Sequence, residues 1–351
     1  MTGPSTSQEG PDFPRVLLAG ATGFVGRHLY HALRVGGYAV RCATRDVRRA
    51  NKLDPGRAWV ELDLDRPDTL RDAMEGCDAA FYLVRGVGPR TATSAERERR
   101  KAVAFREAAR EAGLRRIVYL GRMEPQGGPP QPLRAWRDAG QELREGPVPV
   151  VELRAGMILG AGSASWAMVV DLAARLPAMV LPRWLRNRSW PVAIDDVVTA
   201  LLVALRLPEE AVGCYDVPGP EGLSHRLVLE RVAAQLGARP PMWDVPVVMP
   251  RLSSYWLALF TRVGLDVASE LVEGLQHDLD PTARLIWEHV PGHRRMPLEE
   301  ASAHALVDER DSQVPSARAR LAMEAIGLHH GRPGACGPDA VDVDEHMPNR
   351  A

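Results

Sequence analysis

The sequence predicts an α/β protein, a doubly wound parallel sheet followed by a smaller, mainly helical C-terminal lobe. Two observations carry that prediction. Six short apolar runs alternate with helix-patterned segments through the first half of the chain, and a glycine-rich turn joins the first run to the first helix. Alternation of this kind builds parallel sheets, because a parallel neighbour is reached only through a crossover, usually a helix.

The runs are RVLLAG (15–20), AVRCAT (39–44), AWVELD (58–63), AAFYLV (79–84), RIVYLG (116–121) and VPVVELR (148–154). Each is short and rich in Val, Leu or aromatic residues, as strands covered on both faces must be. Between the fourth and fifth runs, SAERERRKAVAFREAAREAG reads as a helix. Its apolar stripe is Val103, Phe105, Ala109 and Ala112, Gly113 is its C-cap, and its Glu/Arg-rich remainder is a solvated face. After residue 155 the rhythm loosens. SHRLVLERVAAQLG gives one more clear helix, capped by Ser224, lined by Leu229, Val232 and Leu236, and ended by Gly237. The expected organisation is a dinucleotide-binding Rossmann domain over 14–155 and a substrate or partner lobe over 156–330, some of whose segments return to the sheet. Pro/Gly-rich tails, 1–13 and 331–351, are expected to be disordered.

Bulk properties narrow the function. The chain has 351 residues, 45% apolar and 25% charged, enough for a large core. A net charge of −1 gives no electrostatic reason for binding nucleic acid or an anionic membrane. The four cysteines, Cys42, Cys77, Cys214 and Cys336, show no CxxC spacing, so neither a zinc site nor a disulfide framework is expected. No basic-then-apolar leader is visible, and no stretch reaches the roughly 18–20 apolar residues of a membrane span. A cytoplasmic protein is expected.

The turn is LLAGATGFVGRHL. Gly20, Gly23 and Gly26 follow the first strand directly and open the first helix. One glycine makes the tight turn, another lets backbone N–H groups approach a pyrophosphate, and the last permits close helix–strand packing. The helix N-terminus then adds donors and partial positive charge. The end of the second strand selects the cofactor. CATRDVRRA places Arg45 where an arginine accommodates a 2′-phosphate, with Arg48, Arg49 and Arg27 adding charge. NADP(H) is therefore expected over NAD(H), and Asp46 is the residue that argues the other way.

GATGFVG resembles the glycine turn of the atypical and extended short-chain dehydrogenase/reductases. ELDLDRPDTLRDAMEGCDAAFYLV, VAIDDVVTALLVAL and YDVPGPEGLSHRLVLERVAAQLG resemble their later segments. RIVYLGRMEP, LRAGMILGAGSASWAMVVDLAARLPAMVLPRWLRNRSWPVAIDDV and SYWLALFTRVG are similar to the bacterial NAD(P)H-binding, nucleoside-diphosphate-sugar epimerase-like (NmrA-like) proteins, over roughly residues 14–310. The resemblance implies that Gly20, Thr22, Gly23, Phe24, Val25 and Gly26 meet the pyrophosphate. Leu62 and Asp63 would then lie at the adenine, Leu83, Val84 and Arg85 beside the ribose, and Leu120 and Gly121 along the cofactor.

That superfamily's chemistry uses a Tyr-x-x-x-Lys pair with a helping serine. The only lysines are Lys52 and Lys101, preceded four residues earlier by Arg48 and Arg97, so no such pair exists. Gly121 stands at the serine position, and Trp136 and Gly140 stand in the tyrosine–lysine region. Substitute catalytic groups near the nicotinamide are Tyr119, Arg122, Glu124 and Arg154, the last read first as an ion-pair partner. Ser163 and Ser165 read as helix caps. His289 and His293 flank Pro291 and Gly292, which argues against a helical metal face. Trp166, Trp184, Trp190, Trp243 and Trp256 read as packing for the lobe. Residues 253–264 read as a core or subunit-contact segment.

The expected function is an NADP(H)-binding oxidoreductase acting on a small apolar or quinone-like molecule, as a monomer or homodimer. The rival is a non-catalytic NAD(P)H sensor or assembly protein. A sugar-nucleotide epimerase is weaker, since that chemistry needs the same tyrosine–lysine pair.

Overall fold

The computed structural model describes residues 13–84, 92–125, 127–128, 134–176, 178–245 and 261–311. Its centre is an eight-stranded parallel sheet. Six strands come from the six apolar runs: β1 Arg15–Ala19, β2 Ala39–Thr44, β3 Ala58–Glu61, β4 Ala79–Tyr82, β5 Arg116–Arg122 and β6 Val150–Ala155. Two short strands from the second half, β7 Cys214–Asp216 and β8 Arg284–Leu285, complete it. The spatial order is β8-β7-β6-β5-β4-β1-β2-β3, and every pairing is parallel. The order reverses between β1 and β4, so the crevice for a ligand opens at their carboxyl ends.

Period-2 alternation divides β1 between two cores. Val16 and Leu18 face α1 (Phe24–Val35) and α7 (Ile194–Arg206), with Leu29, Leu33, Ala200 and Leu201. Leu17 and Ala19 face the other layer, α3 (Pro67–Met74), α4 (Ala92–Glu111) and α5 (Arg134–Arg144), with Leu70, Phe105 and Leu143. Helix α2 (Val47–Leu53) lies outside this packing apart from buried Ala50. A third core, around Trp166, Leu229, Val232 and Val272, joins α6 (Ala164–Arg175), α8 (His225–Gln235), α9 (Leu265–Leu275) and α10 (Leu298–Asp311) into the second lobe.

Buried Arg116 ties the halves together. It donates to the carbonyls of Ala204, Leu205 and Leu207, the last carbonyls around the end of α7, where a cation is favoured. Ser224 caps α8, accepting from the Leu227 N–H at 3.1 Å, and Gly237 follows the helix with φ +74°. Gly113 sits past α4 with φ +67°.

Three expectations need correction. Helix α4 buries Ala102, Phe105, Ala108 and Ala109, while Val103 and Ala112 are only partly covered, so the stripe is rotated from the one expected. Trp243 does not pack the lobe. It lies on a two-strand ribbon pairing Met242–Val245 with Met179–Pro182 and is 57% exposed. Phe13, placed in a disordered tail, is buried with the Arg115 guanidinium 4.6 Å from its ring. In the 253–264 segment, residues 253–260 lie outside the described residues, Trp256 among them. The remaining tail residues lie outside them too. Among the described residues, no helix is long and apolar enough to cross a membrane.

Candidate cofactor and substrate site

The glycine turn is built by close contacts that only glycine permits. Gly20 adopts φ +100°, and a Cβ there would stand 2.8 Å from the Leu83 carbonyl oxygen at the end of β4. A Cβ on Gly26 would overlap the Gly20 carbonyl oxygen. The Gly23 N–H donates to that same oxygen at 2.9 Å, closing the turn against the first turn of α1. Gly23 is the N-cap of α1, has no side-chain cap, and no acidic residue occupies the first helical turn. An uncapped helix N-terminus behind a glycine cradle leaves N–H donors for an anion. Thr22 and Gly23 are exposed there, and Phe24 and Val25 are half-buried. These features fit a dinucleotide pyrophosphate.

Arg57 was not singled out from the sequence, yet it supports this turn from behind. Its guanidinium lies 4.1 Å from the Tyr30 ring centroid, pairs with Asp54 and reaches the Ala21 carbonyl at 3.5 Å. On the other side, Phe24 and Arg27 meet the 160–162 loop, whose Gly160 has no room for a larger side chain and whose Gly162 adopts φ +91°.

At the end of β2, Arg45 is exposed. Asp46 is the N-cap of α2, its Oδ1 accepting from the Arg49 N–H at 2.9 Å. Leu62 is buried beyond β3, and the half-buried Asp63 holds its own loop, accepting from the Asp65 N–H at 3.1 Å. Leu83 donates its N–H to Ala19, and Val84 is half-buried. Arg85 lies outside the described residues. Leu120 is half-buried and Gly121 buried at the end of β5. The crevice therefore gathers the glycine turn, the end of β2 and the ends of β4 and β5 along one sheet edge.

The proton-relay region is filled by a residue the sequence reading passed over. Glu152 on β6 is 2% exposed, and its carboxylate occupies the space beside two glycines. A Cβ on Gly140 would stand 2.7 Å from Glu152 Oε2, and one on Gly121 3.4 Å from Oε1. Arg144 pairs with this carboxylate, Arg154 donates to it at 2.8 Å, and Cys214 Sγ lies 3.4 Å away. Arg154 reaches on to Glu124 at 3.3 Å. Such a buried carboxylate persists because it is paired on several sides.

Tyr119 is removed from the acid–base candidates. It is 2% exposed, its hydroxyl donates to the Trp136 carbonyl at 3.0 Å, and burial pushes it far above the ordinary phenol range. Arg154 is held by two carboxylates, as an ion-pair partner. Ser163 caps α6, accepting from the Trp166 N–H and donating to the Ile158 carbonyl at 2.8 Å. Ser165 instead lines a cavity at the lobe, bordered by Arg122. His293 pairs with Asp196 at 2.8 Å and His289 with the Tyr215 hydroxyl at 3.2 Å, so each has a separate partner.

A family profile described as NAD(P)H-binding matches residues 20–146. The chain is 30% identical over 275 residues to a 3-diazoavenalumate denitrifying reductase of a Streptomyces species, covering 69% of this chain and 88% of that protein. It shares its fold with a triphenylmethane reductase of Citrobacter, solved with NADP(H), at TM-score 0.64 and 15% identity, over 83% of this chain and 99% of that one. A nucleoside-diphosphate-sugar epimerase of Staphylococcus aureus superposes at TM-score 0.66 and 15% identity, over 82% of this chain and 99% of that one.

Proposed function

The chain belongs to the NAD(P)H-binding, atypical short-chain dehydrogenase/reductase family, and from that premise we propose that it is an NADP(H)-dependent reductase of a small apolar or quinone-like molecule. The observation that carries this reading is the cradle made by Gly20, Gly26 and the Leu83 carbonyl in front of an uncapped α1. Gly20, Thr22, Gly23, Phe24, Val25 and Gly26 hold the pyrophosphate. Leu62 and Asp63 border the adenine, Leu83, Val84 and Arg85 the ribose, and Leu120 and Gly121 the nicotinamide end.

Arg45 is available to a 2′-phosphate, whereas the neighbouring Asp46 is spent on its helix cap, and that asymmetry supports NADP(H) over NAD(H). When bound, the nicotinamide supplies reducing power by hydride transfer. Tyr119 and Arg154 are both committed to internal partners, so the proton comes from water or from another side chain. The protein acts in the cytoplasm as a monomer or homodimer.

One observation favours a second reading, a non-catalytic NAD(P)H-sensing regulatory or assembly protein: Glu152 fills the space of the missing relay. Titration with NADPH and NADH, followed by tryptophan-to-nicotinamide energy transfer, tests the part the two readings share. Binding of neither nucleotide would sink both. Oxidation of NADPH across a panel of quinones and aldehydes then separates them, because a sensor turns over none.

A further inference from the structure

A small cavity of about 30 Å³ lies between the carboxyl end of β5 and the second lobe. Met157, Met168, Leu271 and Leu275 give it apolar walls, and Arg122, next to Gly121, borders it on the sheet side. Three further polar residues line it, Ser165 and the neighbouring pair Ser189 and His225. The pair comes together because the Leu223–Ser224 strand pairs antiparallel with Arg188–Ser189, while the His225 N–H donates to the Asn187 carbonyl at 3.1 Å.

Both side chains are enclosed, Ser189 at 0% and His225 at 4% exposure. Among the described residues, neither ring nitrogen of His225 nor the Ser189 hydroxyl has a hydrogen-bond partner. Enclosed polar groups are nearly always satisfied, and leaving one unpaired costs about 1–3 kcal/mol. Three enclosed polar atoms unpaired at one cavity therefore mark a place prepared for a guest.

We propose that Ser189 and His225 form the recognition site for a carbonyl oxygen, at the end of an otherwise apolar substrate entering beside Arg122. This inference rests on the reductase reading and names the substrate class for it. The polarity follows from the donors. The Ser189 hydroxyl and the single N–H of a neutral imidazole can both donate, so one carbonyl oxygen can accept from the pair, while the second ring nitrogen stays an acceptor. The walls favour carbon around it. A volume of this size holds roughly two water-sized groups, enough for a carbonyl end and too little for a whole ring.

Desolvation pushes His225 down to about 4, against an opposing pull from Asp278, which keeps the ring neutral at physiological pH. A neutral ring suits an uncharged carbonyl better than a carboxylate. The surrounding wall is fixed: Asn187 Nδ2 donates to the Leu275 carbonyl, and the Leu279 N–H donates to the Arg188 carbonyl at 2.9 Å.

The test uses the full chain with ¹⁵N-labelled histidine and acetone, benzaldehyde and trans-cinnamaldehyde at millimolar concentration as probes. The two ring nitrogens of His225 are expected to shift with at least one carbonyl probe and to stay in place with toluene. Ser189→Ala is expected to weaken that response about tenfold, the loss of one good hydrogen bond. Ring resonances unmoved by all three probes, in protein that still binds NADPH, would mean that the cavity holds water only and would overturn the proposal. If NADPH does not bind but the carbonyl probes still move His225, the recognition site stands and the cofactor reading falls instead.

Discussion

The Glu152 carboxylate stands against Gly140, with its Oε2 2.7 Å from where a Cβ on that glycine would lie. A side chain from β6 thus occupies room on α5 that the sequence marks only as a missing lysine. The relay cannot be restored by replacing helix residues alone, because the space is already taken by a paired charge. Gly140→Ala is expected to destabilise the fold by about 1–3 kcal/mol, as overpacking against a buried group does. Glu152→Ala is expected to do worse, about 3–5 kcal/mol, because Arg144 and Arg154 lose their shared partner. Urea denaturation measures both; an unchanged midpoint for Gly140→Ala would show that Glu152 has room to withdraw.

Gly26→Ala addresses the cofactor cradle. Its Cβ would collide with backbone, the Gly20 carbonyl, which cannot swing aside as a side chain does. Nucleotide affinity is expected to fall at least tenfold, about 1.4 kcal/mol or more. Energy transfer from tryptophan to bound nicotinamide reads the loss, and retained affinity would contradict a pyrophosphate seated on this turn.

Arg45→Asp is expected to weaken NADPH binding by roughly tenfold to a hundredfold while leaving NADH nearly as before, since one charge-assisted contact to a phosphate is removed and a repulsion added. Parallel titrations with the two nucleotides give the ratio. Equal losses for both would place the arginine away from the 2′ position.

His225 ties stability to pH. Burial pushes it down to about 4, against 6.5 for an ordinary histidine, so the folded state holds the ring neutral. Above 6.5 neither state is protonated and the full stability is present. Between 6.5 and 4 only the unfolded chain takes the proton, so stability is lost as pH falls, by roughly 3 kcal/mol in all. The comparison of thermal melts for wild type and His225→Phe over that interval isolates this contribution; parallel curves would refute it.

Much of this architecture is legible in the sequence because β1, β4, β5 and β6 are covered on both faces, and continuous apolar runs mark such strands directly, whereas the edge strand β3 is only partly covered. The glycine turn is legible for the same local reason: three spacings encode three close approaches. What escapes is long-range. Tyr119 follows the expected strand, but alternation turns it into the layer of Phe105 and Tyr82, away from the crevice. Glu152 reads as one polar residue in an apolar strand, and that interruption was the available signal. Nothing near His225 in the chain announces Ser189; an antiparallel pairing across more than thirty residues brings them together.

The last two strands of the sheet have a consequence for how the protein is made. β7 and β8 come from residues 214–216 and 284–285, and Arg116 finds its carbonyl partners only at residues 204–207. While the ribosome is still adding the second half, β6 is a bare edge with unpaired amides, and the Arg116 guanidinium has no helix end to receive it. Synthesis at about 5–20 residues per second leaves that edge exposed for several seconds or more. The nascent chain is therefore most open to strand-edge association in the interval before Asp216 emerges and β7 pairs with β6.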